Sequence, residues 1–241
     1  MKFGPKQIVG GRWKVFRERV EGQHYVLSVD AASGKEGSNE SVANVLGIES
    51  GVQCAILAGQ IHPVEMAVEA EKAGLYYNEA EIAVEKELHG ATIIEKLRDT
   101  YPHLFVHEET LVGFGETVIK QYGWEPRSYR QTAIDWLQQA IGFASSTKPE
   151  ERKQAVWLLD PATIEQHSYF TQNRKTGKWE AASGKKDDRV SALYIGQFVR
   201  RLRYMNYVNK VVEKPKERTF EDILAMSSRD EDEDRSMDFE V

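Results

Sequence analysis

The chain of 241 residues has one cysteine, Cys54, and no long hydrophobic segment. A single cysteine excludes an intramolecular disulfide and a cysteine-cluster zinc site, and low cysteine usage is typical of the cytosol. No apolar run approaches the roughly 18 residues of a membrane span, and residues 1–11 lack the apolar core of a secretory signal. We therefore expect a globular cytosolic protein without a membrane segment.

Two widespread catalytic motifs are also missing. No GxxxxGK[ST] sequence occurs, so the chain has no recognisable ATP-binding loop. The run His107-Glu108-Glu109 lacks the second histidine of HExxH, and the six histidines form no other motif. The sequence thus predicts neither an ATP-driven motor nor a histidine-based zinc site.

Basic residues do not outnumber acidic ones, since the formal net charge is −6. Residues 213–241 contain eleven acids and five bases, so they account for this whole charge, and residues 1–212 are neutral. A neutral domain can still carry a basic face for DNA, because a phosphate backbone responds to local charge. We predict one domain over residues 1–212 and an acidic, disordered tail over residues 213–241.

The order of predicted strands and helices indicates an α/β fold. A continuously apolar run at 24–30 predicts a buried central strand, and with 41–49 and 53–61 it predicts an antiparallel meander. Helical spacing and short apolar runs then alternate, which is typical of strands joined by helices. The predicted helices are 64–77, 89–101, 128–143, 161–167 and 188–206, and the predicted short strands are 80–85 and 104–106. We also predict a loop around Gly113 and Gly123, a strand or a helix start at 155–159, and an extra hairpin formed by 168–173 and 178–182. We therefore predict a central mixed β-sheet flanked by helices.

Four acidic residues stand where such a fold gathers ligands. Asp30 and Glu85 each end an apolar strand, and Asp187 and Asp188 open the last helix. Each has a structural alternative: Asp30 caps the next loop, Glu85 is an exposed strand end, and the aspartate pair caps its helix. Together they predict a site for Mg²⁺ or Mn²⁺, which prefer carboxylate oxygens. Two such ions can activate a water and stabilise the leaving oxygen of a phosphodiester.

Basic residues concentrate beside the third acidic position. Apart from the aspartate pair, residues 174–189 contain six bases and one acid. We predict that these bases contact DNA phosphates while Trp179 packs or stacks, the alternative being a solvated hairpin. The six are Arg174, Lys175, Lys178, Lys185, Lys186 and Arg189.

Several motifs resemble the nuclease domain of the large terminase subunit of tailed double-stranded DNA phages. Residues 25–34 resemble its first motif, a strand that ends in a metal-binding aspartate, here Asp30. Residues 80–90 are similar to its second motif and place the family glutamate at Glu85. The family often has an asparagine two positions later, where this chain has Glu87.

The remaining similarities follow in the family's order, so that the resemblance covers residues 25–199. Gly123-Trp124, the hairpin and residues 184–192 match, and the third metal-binding acid falls on Asp188 or Asp187. A second departure follows the first motif, where the family often has Gly-Asp-x-Ser and this chain has Ser38-Asn39-Glu40-Ser41.

This resemblance implies an RNase H-like fold and two-metal hydrolysis of DNA. Asp30 is then expected to bind both ions, Glu85 one, and Asp188 with Asp187 the other. The implied activity is cleavage of concatemeric double-stranded DNA during packaging in the infected bacterial cytoplasm. The implied partners are a packaging ATPase domain, a portal and a small terminase.

Two alternatives stay open from the sequence. One is another RNase H-like nuclease, such as a junction resolvase. The other is a non-catalytic assembly module of the packaging motor, in which the acids only cap strands and a helix.

Overall fold

The computed structural model describes residues 12–113, 115–174 and 176–212. The described residues up to 205 form one compact unit, and the described residues 206–212 are grouped separately from it. The predicted acidic tail and Lys175 therefore lie outside the described residues, and the domain boundary at residue 212 stays a prediction.

A five-stranded mixed sheet forms the centre of the domain. Its strands are β1 (Lys14–Val15), β2 (Tyr25–Asp30), β3 (Ser41–Gly47), β4 (Gln53–Gly59) and β5 (Glu81–Val84), in the order β1-β4-β3-β2-β5. Strands β2, β3 and β4 pair antiparallel, whereas β5 pairs parallel with β2. Both the predicted meander and the predicted mixed sheet are confirmed.

Helices cover the sheet on both faces. They are α1 (Pro63–Tyr76), α2 (Leu88–Arg98), α3 (Pro126–Phe143), α4 (Pro149–Lys153), α5 (Pro161–Ser168) and α6 (Asp188–Val212). The short helix α4 was not predicted, while the other five match the predicted helices with small shifts of their ends. Among the described helices, none combines the length and the apolar character that crossing a membrane requires.

The core has two parts because side chains of a strand alternate between the faces of the sheet. Leu27 and Val29 of β2 pack in the part that contains residues of α1 and α2. Val26 packs in the part that contains residues of α3 and α6, among them Leu137 and Leu193. The continuous apolar run of β2 therefore reflects a strand that is buried on both faces.

Two hairpins lie outside the main sheet. The hairpin of β8 (Phe170–Gln172) and β9 (Trp179–Ala181) was predicted. The hairpin of β6 (Val106–Gly113) and β7 (Gly115–Tyr122) corrects the predicted strand at 104–106 and the loop around Gly113 and Gly123. Its apolar residues stand mainly in adjacent pairs, Leu111-Val112 and Val118-Ile119, without the alternation from which a half-buried strand is predicted.

Candidate active site

Asp30 and Glu85 lie side by side because they end two neighbouring parallel strands. Val29 of β2 stands opposite Val84 of β5, and the amide of Glu85 donates to the carbonyl of Val29 at 3.0 Å. Parallel strands in register end at the same edge of a sheet, which is where open α/β sheets gather ligands.

The backbone of Glu85 is held between a buried tryptophan and a glycine. Glu85 forms an isolated parallel bridge with Trp124, whose amide donates to the carbonyl of Val84 at 2.7 Å. A Cβ atom on Gly90 of α2 would lie 1.8 Å from the carbonyl oxygen of Glu85. Helix α2 thus approaches the strand end so closely that only glycine fits, which fixes the position of Glu85.

Helix α6 begins at the same edge of the sheet. It starts at Asp188, and the carbonyl of Asp187 accepts a hydrogen bond from the amide of Ser191 at 2.8 Å. An open cleft of about 450 Å³ is lined by all four predicted acids, Asp30, Glu85, Asp187 and Asp188. Acids more than 150 residues apart in sequence therefore meet at one cleft, and their roles as metal ligands stay a prediction.

The carboxyl groups of Asp30 and Glu85 are hydrogen-bonded to each other. Burial and the charge of Glu85 raise the pKa of Asp30 well above its usual value. Burial also raises the pKa of Glu85, although the hydrogen bond with Asp30 and the charge of Arg130 act in the opposite direction. A divalent cation would compete with protons for these two carboxyl groups, because it stabilises their ionised forms.

Asp188 is buried and its orientation is fixed by a backbone amide. Its Oδ2 atom accepts a hydrogen bond from the amide of Glu40 at 3.1 Å. Burial and the neighbouring charge of Asp187 raise the pKa of Asp188, against the opposing effects of the Glu40 amide and Lys186. Glu40 is one of the residues that line the same cleft, and its charge also raises the pKa of Asp188.

The carboxylate oxygens of the cleft are ligands of the type that a hard divalent cation prefers, and they occur in two pairs. Among the described residues, no three His, Cys, Asp or Glu side chains are arranged to hold an ion by themselves. Mg²⁺ commonly binds one or two carboxylates and completes its shell with water and substrate phosphate. Two carboxylate pairs on one cleft, Asp30 with Glu85 and Asp187 with Asp188, match that mode of binding.

Arg130 and Tyr194 are among the residues of the cleft that the sequence does not identify as site residues. Arg130 of α3 is half-buried and donates from Nε to the hydroxyl of Tyr194 at 3.4 Å. Burial raises the pKa of Tyr194 to about 12, and the charge of Glu85 adds to this effect. The sequence signal for Arg130 is weak, because this residue belongs to a basic helix start that is not specific for any site.

The predicted DNA-binding residues occupy two different environments. Lys178, Lys185 and Lys186 are exposed near the β8–β9 hairpin and the start of α6, and the ammonium of Lys185 lies 4.2 Å from the centre of the Tyr169 ring. Arg174 is exposed in the hairpin turn. A DNA contact remains a prediction for these residues.

Arg189 lies in an environment that the sequence did not indicate. Its side chain is only 11% exposed and pairs with Asp160 at 2.9 Å and with Glu40 at 3.4 Å. The structure thus gives Arg189 two carboxylate partners within the chain, and its predicted contact with DNA would have to compete with them.

The structure also shows where the two residues lie at which the sequence departs from the family motifs, Glu87 and Glu40. Glu87 is the exposed N-cap of α2 and lies beside Lys86, Leu88 and Arg127 in a separate surface depression. Glu40 instead lies in the cleft, so the segment that replaces Gly-Asp-x-Ser still brings a carboxylate there.

Comparison with known proteins was informative only at the level of structure. Neither protein-family models nor the sequences of curated proteins gave a match. The magnesium-bound large terminase nuclease of the thermophilic phage G20c is similar with a TM-score of 0.57 and 15% identity, over 78% of this chain and 87% of that chain. The cobalt-bound form gives a TM-score of 0.58 and 16% identity over the same shares.

The large terminase nuclease domain of Thermus phage P74-26 is similar with a TM-score of 0.55. Its identity is 14%, over 81% of this chain and 87% of that chain. The chain has the RNase H-like fold of these terminase nucleases. This structural similarity confirms the predicted fold class. Sequence identities this low establish the fold and nothing further.

Proposed function

We propose that this chain is a metal-dependent DNA endonuclease that cleaves concatemeric phage DNA during genome packaging. The observation that carries the proposal is the single cleft lined by Asp30, Glu85, Asp187 and Asp188. The fold shared with the terminase nucleases of two phages supports the same activity.

The proposed cofactors are two Mg²⁺ or Mn²⁺ ions. Asp30 would bind both, Glu85 one, and Asp188 with Asp187 the other. When bound, such a pair activates a water molecule and stabilises the leaving 3′ oxygen, so no protein nucleophile is needed. Crystals of the G20c nuclease with bound magnesium and with bound cobalt support a divalent cofactor.

Positive side chains would bring the DNA backbone to the cleft. Arg130 gives the cleft itself a cation that can attract a phosphate. The exposed Lys178, Lys185 and Lys186, with Arg174 of the hairpin turn, would extend this attraction along double-stranded DNA, and the sequence adds Lys175 to them. By resemblance, the partners are a packaging ATPase domain, a portal and a small terminase, in the cytoplasm of the infected host.

A plasmid-nicking assay with the 241-residue chain and Mn²⁺ tests the proposal. Asp30→Asn should lower cleavage about a thousandfold, because a metal site supplies several kcal/mol of transition-state stabilisation. Asp135→Asn makes the same change on an exposed helix position and should cleave like the unchanged chain. Undiminished Mn²⁺-dependent cleavage by Asp30→Asn would refute the assignment.

The substrate and the metal separate the two alternatives. Strong preference for branched over linear duplex DNA would identify a junction resolvase instead. The absence of both cleavage and Mn²⁺ binding by calorimetry would identify a non-catalytic assembly module.

A further inference from the structure

Arg189 is held by two carboxylates and by its own backbone. Its Nη1 donates to Oδ2 of Asp160 at 2.9 Å, and its Nε lies 3.4 Å from Oε2 of Glu40. Its amide donates to the side chain of Gln166 at 2.9 Å. A guanidinium fixed in this way holds the two carboxylates at set positions.

One of these carboxylate residues leads directly to the acidic cleft. The amide of Glu40 donates to Asp188, and Asp188 precedes Arg189 in the chain. Arg189, Glu40 and Asp188 therefore form a closed ring of one ion pair, one hydrogen bond and the covalent chain. A shift of Glu40 would move the amide that orients the Asp188 carboxylate.

The other carboxylate anchors Arg189 to a rigid element. Asp160 is fully buried and caps helix α5, accepting hydrogen bonds from the amide and the hydroxyl of Thr163 at 3.0 and 2.9 Å. Burial alone would raise the pKa of Asp160, but the bonds from Thr163 and the charge of Arg189 lower it below its usual value. Asp160 therefore stays an anion at neutral pH.

We propose that Arg189 is a positioning residue for the metal site. The Arg189 side chain holds Glu40 against the start of α6, so that the Glu40 amide fixes Asp188 for a divalent cation. This rests on the proposed function, because it takes Asp188 as a metal ligand. It also differs from the role suggested by the basic sequence around Arg189, which is a direct contact with DNA.

The direction of the effect on metal affinity separates positioning from simple electrostatics. Removing a positive charge beside a carboxylate site would strengthen cation binding by Coulomb's law. Removing a group that orients a ligand weakens binding, typically by about 10–100-fold for such outer partners. If Arg189 positions a ligand, its removal should therefore lower the cation affinity, whereas the loss of its charge alone would raise that affinity.

The experiment is calorimetric titration of the 241-residue chain with Mn²⁺ alone, without DNA. We expect Arg189→Gln to weaken Mn²⁺ binding about tenfold or more. Arg189→Lys should restore part of the affinity, because an ammonium keeps the charge but lacks the planar fork. Arg98→Gln is the matched control: it removes an exposed arginine paired with Asp99, outside the cleft, and should leave Mn²⁺ affinity unchanged.

A second variant covers the case in which Arg189→Gln does not fold. Glu40→Gln keeps the Arg189–Asp160 pair and the backbone amide, and it weakens the ionic link between Glu40 and Arg189. It also removes a charge that acts on Asp188, so the combination with Arg189→Lys decides between the two effects. Glu40→Gln should also lower Mn²⁺ affinity, and combining it with Arg189→Lys should add little, since both changes act on one contact. Fully additive losses would make Glu40 an independent ligand and would overturn the proposal.

DNA binding measured in EDTA over a range of salt provides the second readout. The slope of log affinity against log salt should stay unchanged in Arg189→Gln, whereas loss of a phosphate contact would lower it by about 0.9. A folded Arg189→Gln chain with unchanged or stronger Mn²⁺ binding overturns the proposal. If the unchanged chain itself binds no Mn²⁺, the proposed function fails as well. If Asp30→Asn abolishes Mn²⁺ binding and Arg189→Gln leaves it intact, only the role of Arg189 is refuted.

Discussion

Buried charge occurs both at the start and in the middle of helix α6, and the two cases differ in how the charge is satisfied. Arg200 is 2% exposed, and its guanidinium donates to the carbonyls of Ile48 and Gln154 and to the side chain of Gln197 at 2.8–3.1 Å. Burial lowers its pKa to about 10. Twelve residues earlier, about 18 Å along the helix, Asp188 joins a cleft in which Asp30 and Glu85 hydrogen-bond to each other.

The difference indicates which buried charge is structural. Neighbouring acceptors complete the hydrogen bonds of Arg200, so this residue ties α6 to the loop after β3 and needs no ligand. Burial and mutual repulsion raise the pKa values of the cleft carboxyls, so their ionised forms cost stability until a cation enters. The charge of Arg189 is likewise paired within the chain, by Asp160 and Glu40.

The largest expected effect on stability is at Arg200. Arg200→Ala leaves buried carbonyl groups without a donor and opens a cavity, so we expect a loss of about 3–5 kcal/mol. Urea unfolding of the metal-free chain measures it. Arg201→Ala removes the neighbouring arginine, whose partners are Gln139 and the face of Trp136, and should cost about 1 kcal/mol. Equal losses of unfolding free energy in Arg200→Ala and Arg201→Ala would show that the buried hydrogen bonds of Arg200 add no special stability.

Asp160 should show the pH dependence of a paired charge. Its pKa is lowered in the folded chain, so it contributes stability above its unfolded pKa of about 3.9, and this contribution is lost as the pH falls through the folded pKa. We expect Asp160→Asn to cost about 1.5–3 kcal/mol at pH 7. The difference from the unchanged chain should disappear in acid, as measured by urea unfolding between pH 2 and pH 7. A difference that persists unchanged at pH 2 would argue against an ionic role.

Asp30 should show the opposite sign. Asp30→Asn removes a carboxylate whose pKa is raised, so the metal-free chain should gain about 0.5–2 kcal/mol at neutral pH. Because the unchanged chain becomes more stable as the pH falls toward that raised pKa, the advantage of the variant should shrink in acid. Thermal unfolding with EDTA measures the gain, and with Mn²⁺ the order should reverse. A destabilised metal-free variant would show that the Asp30 carboxylate is structural.

The smallest effect concerns the exposed basic residues. Lys178→Ala should lower the salt slope of DNA binding by about 0.9 and leave unfolding unchanged, since this lysine is exposed. Filter binding in EDTA at several salt concentrations measures the slope. Lys153→Ala serves as the control, because it removes an exposed lysine paired with Glu150 outside the basic run. An unchanged slope for Lys178→Ala would remove the hairpin from the predicted DNA surface.

The sequence predicted those parts of the fold that local patterns encode. The apolar run at 24–30 gave β2, and strand ends and a helix start gave the four acids that line the cleft. The β6–β7 hairpin was missed because no alternation of apolar and polar residues marks its two strands. Helix α4 was missed because five residues are too few for a periodic pattern.

The surroundings of the acids could not be predicted in the same way. Arg189 stood in a basic run and therefore resembled a DNA contact, yet its partners Glu40 and Asp160 are far away in sequence. The place of Arg130 in the cleft depends on how α3 packs against α6. Such contacts follow from tertiary packing, which no local spacing reveals.

The most direct test of the central claim is a crystal structure of the chain soaked in Mn²⁺, with anomalous scattering to locate the ions. We predict two Mn²⁺ ions in the cleft, about 3.5–4 Å apart and bound by Asp30, Glu85 and Asp188, with Asp187 beside the second ion. Anomalous peaks elsewhere on the protein, or an empty cleft whose carboxyls remain hydrogen-bonded to each other at saturating Mn²⁺, would contradict it.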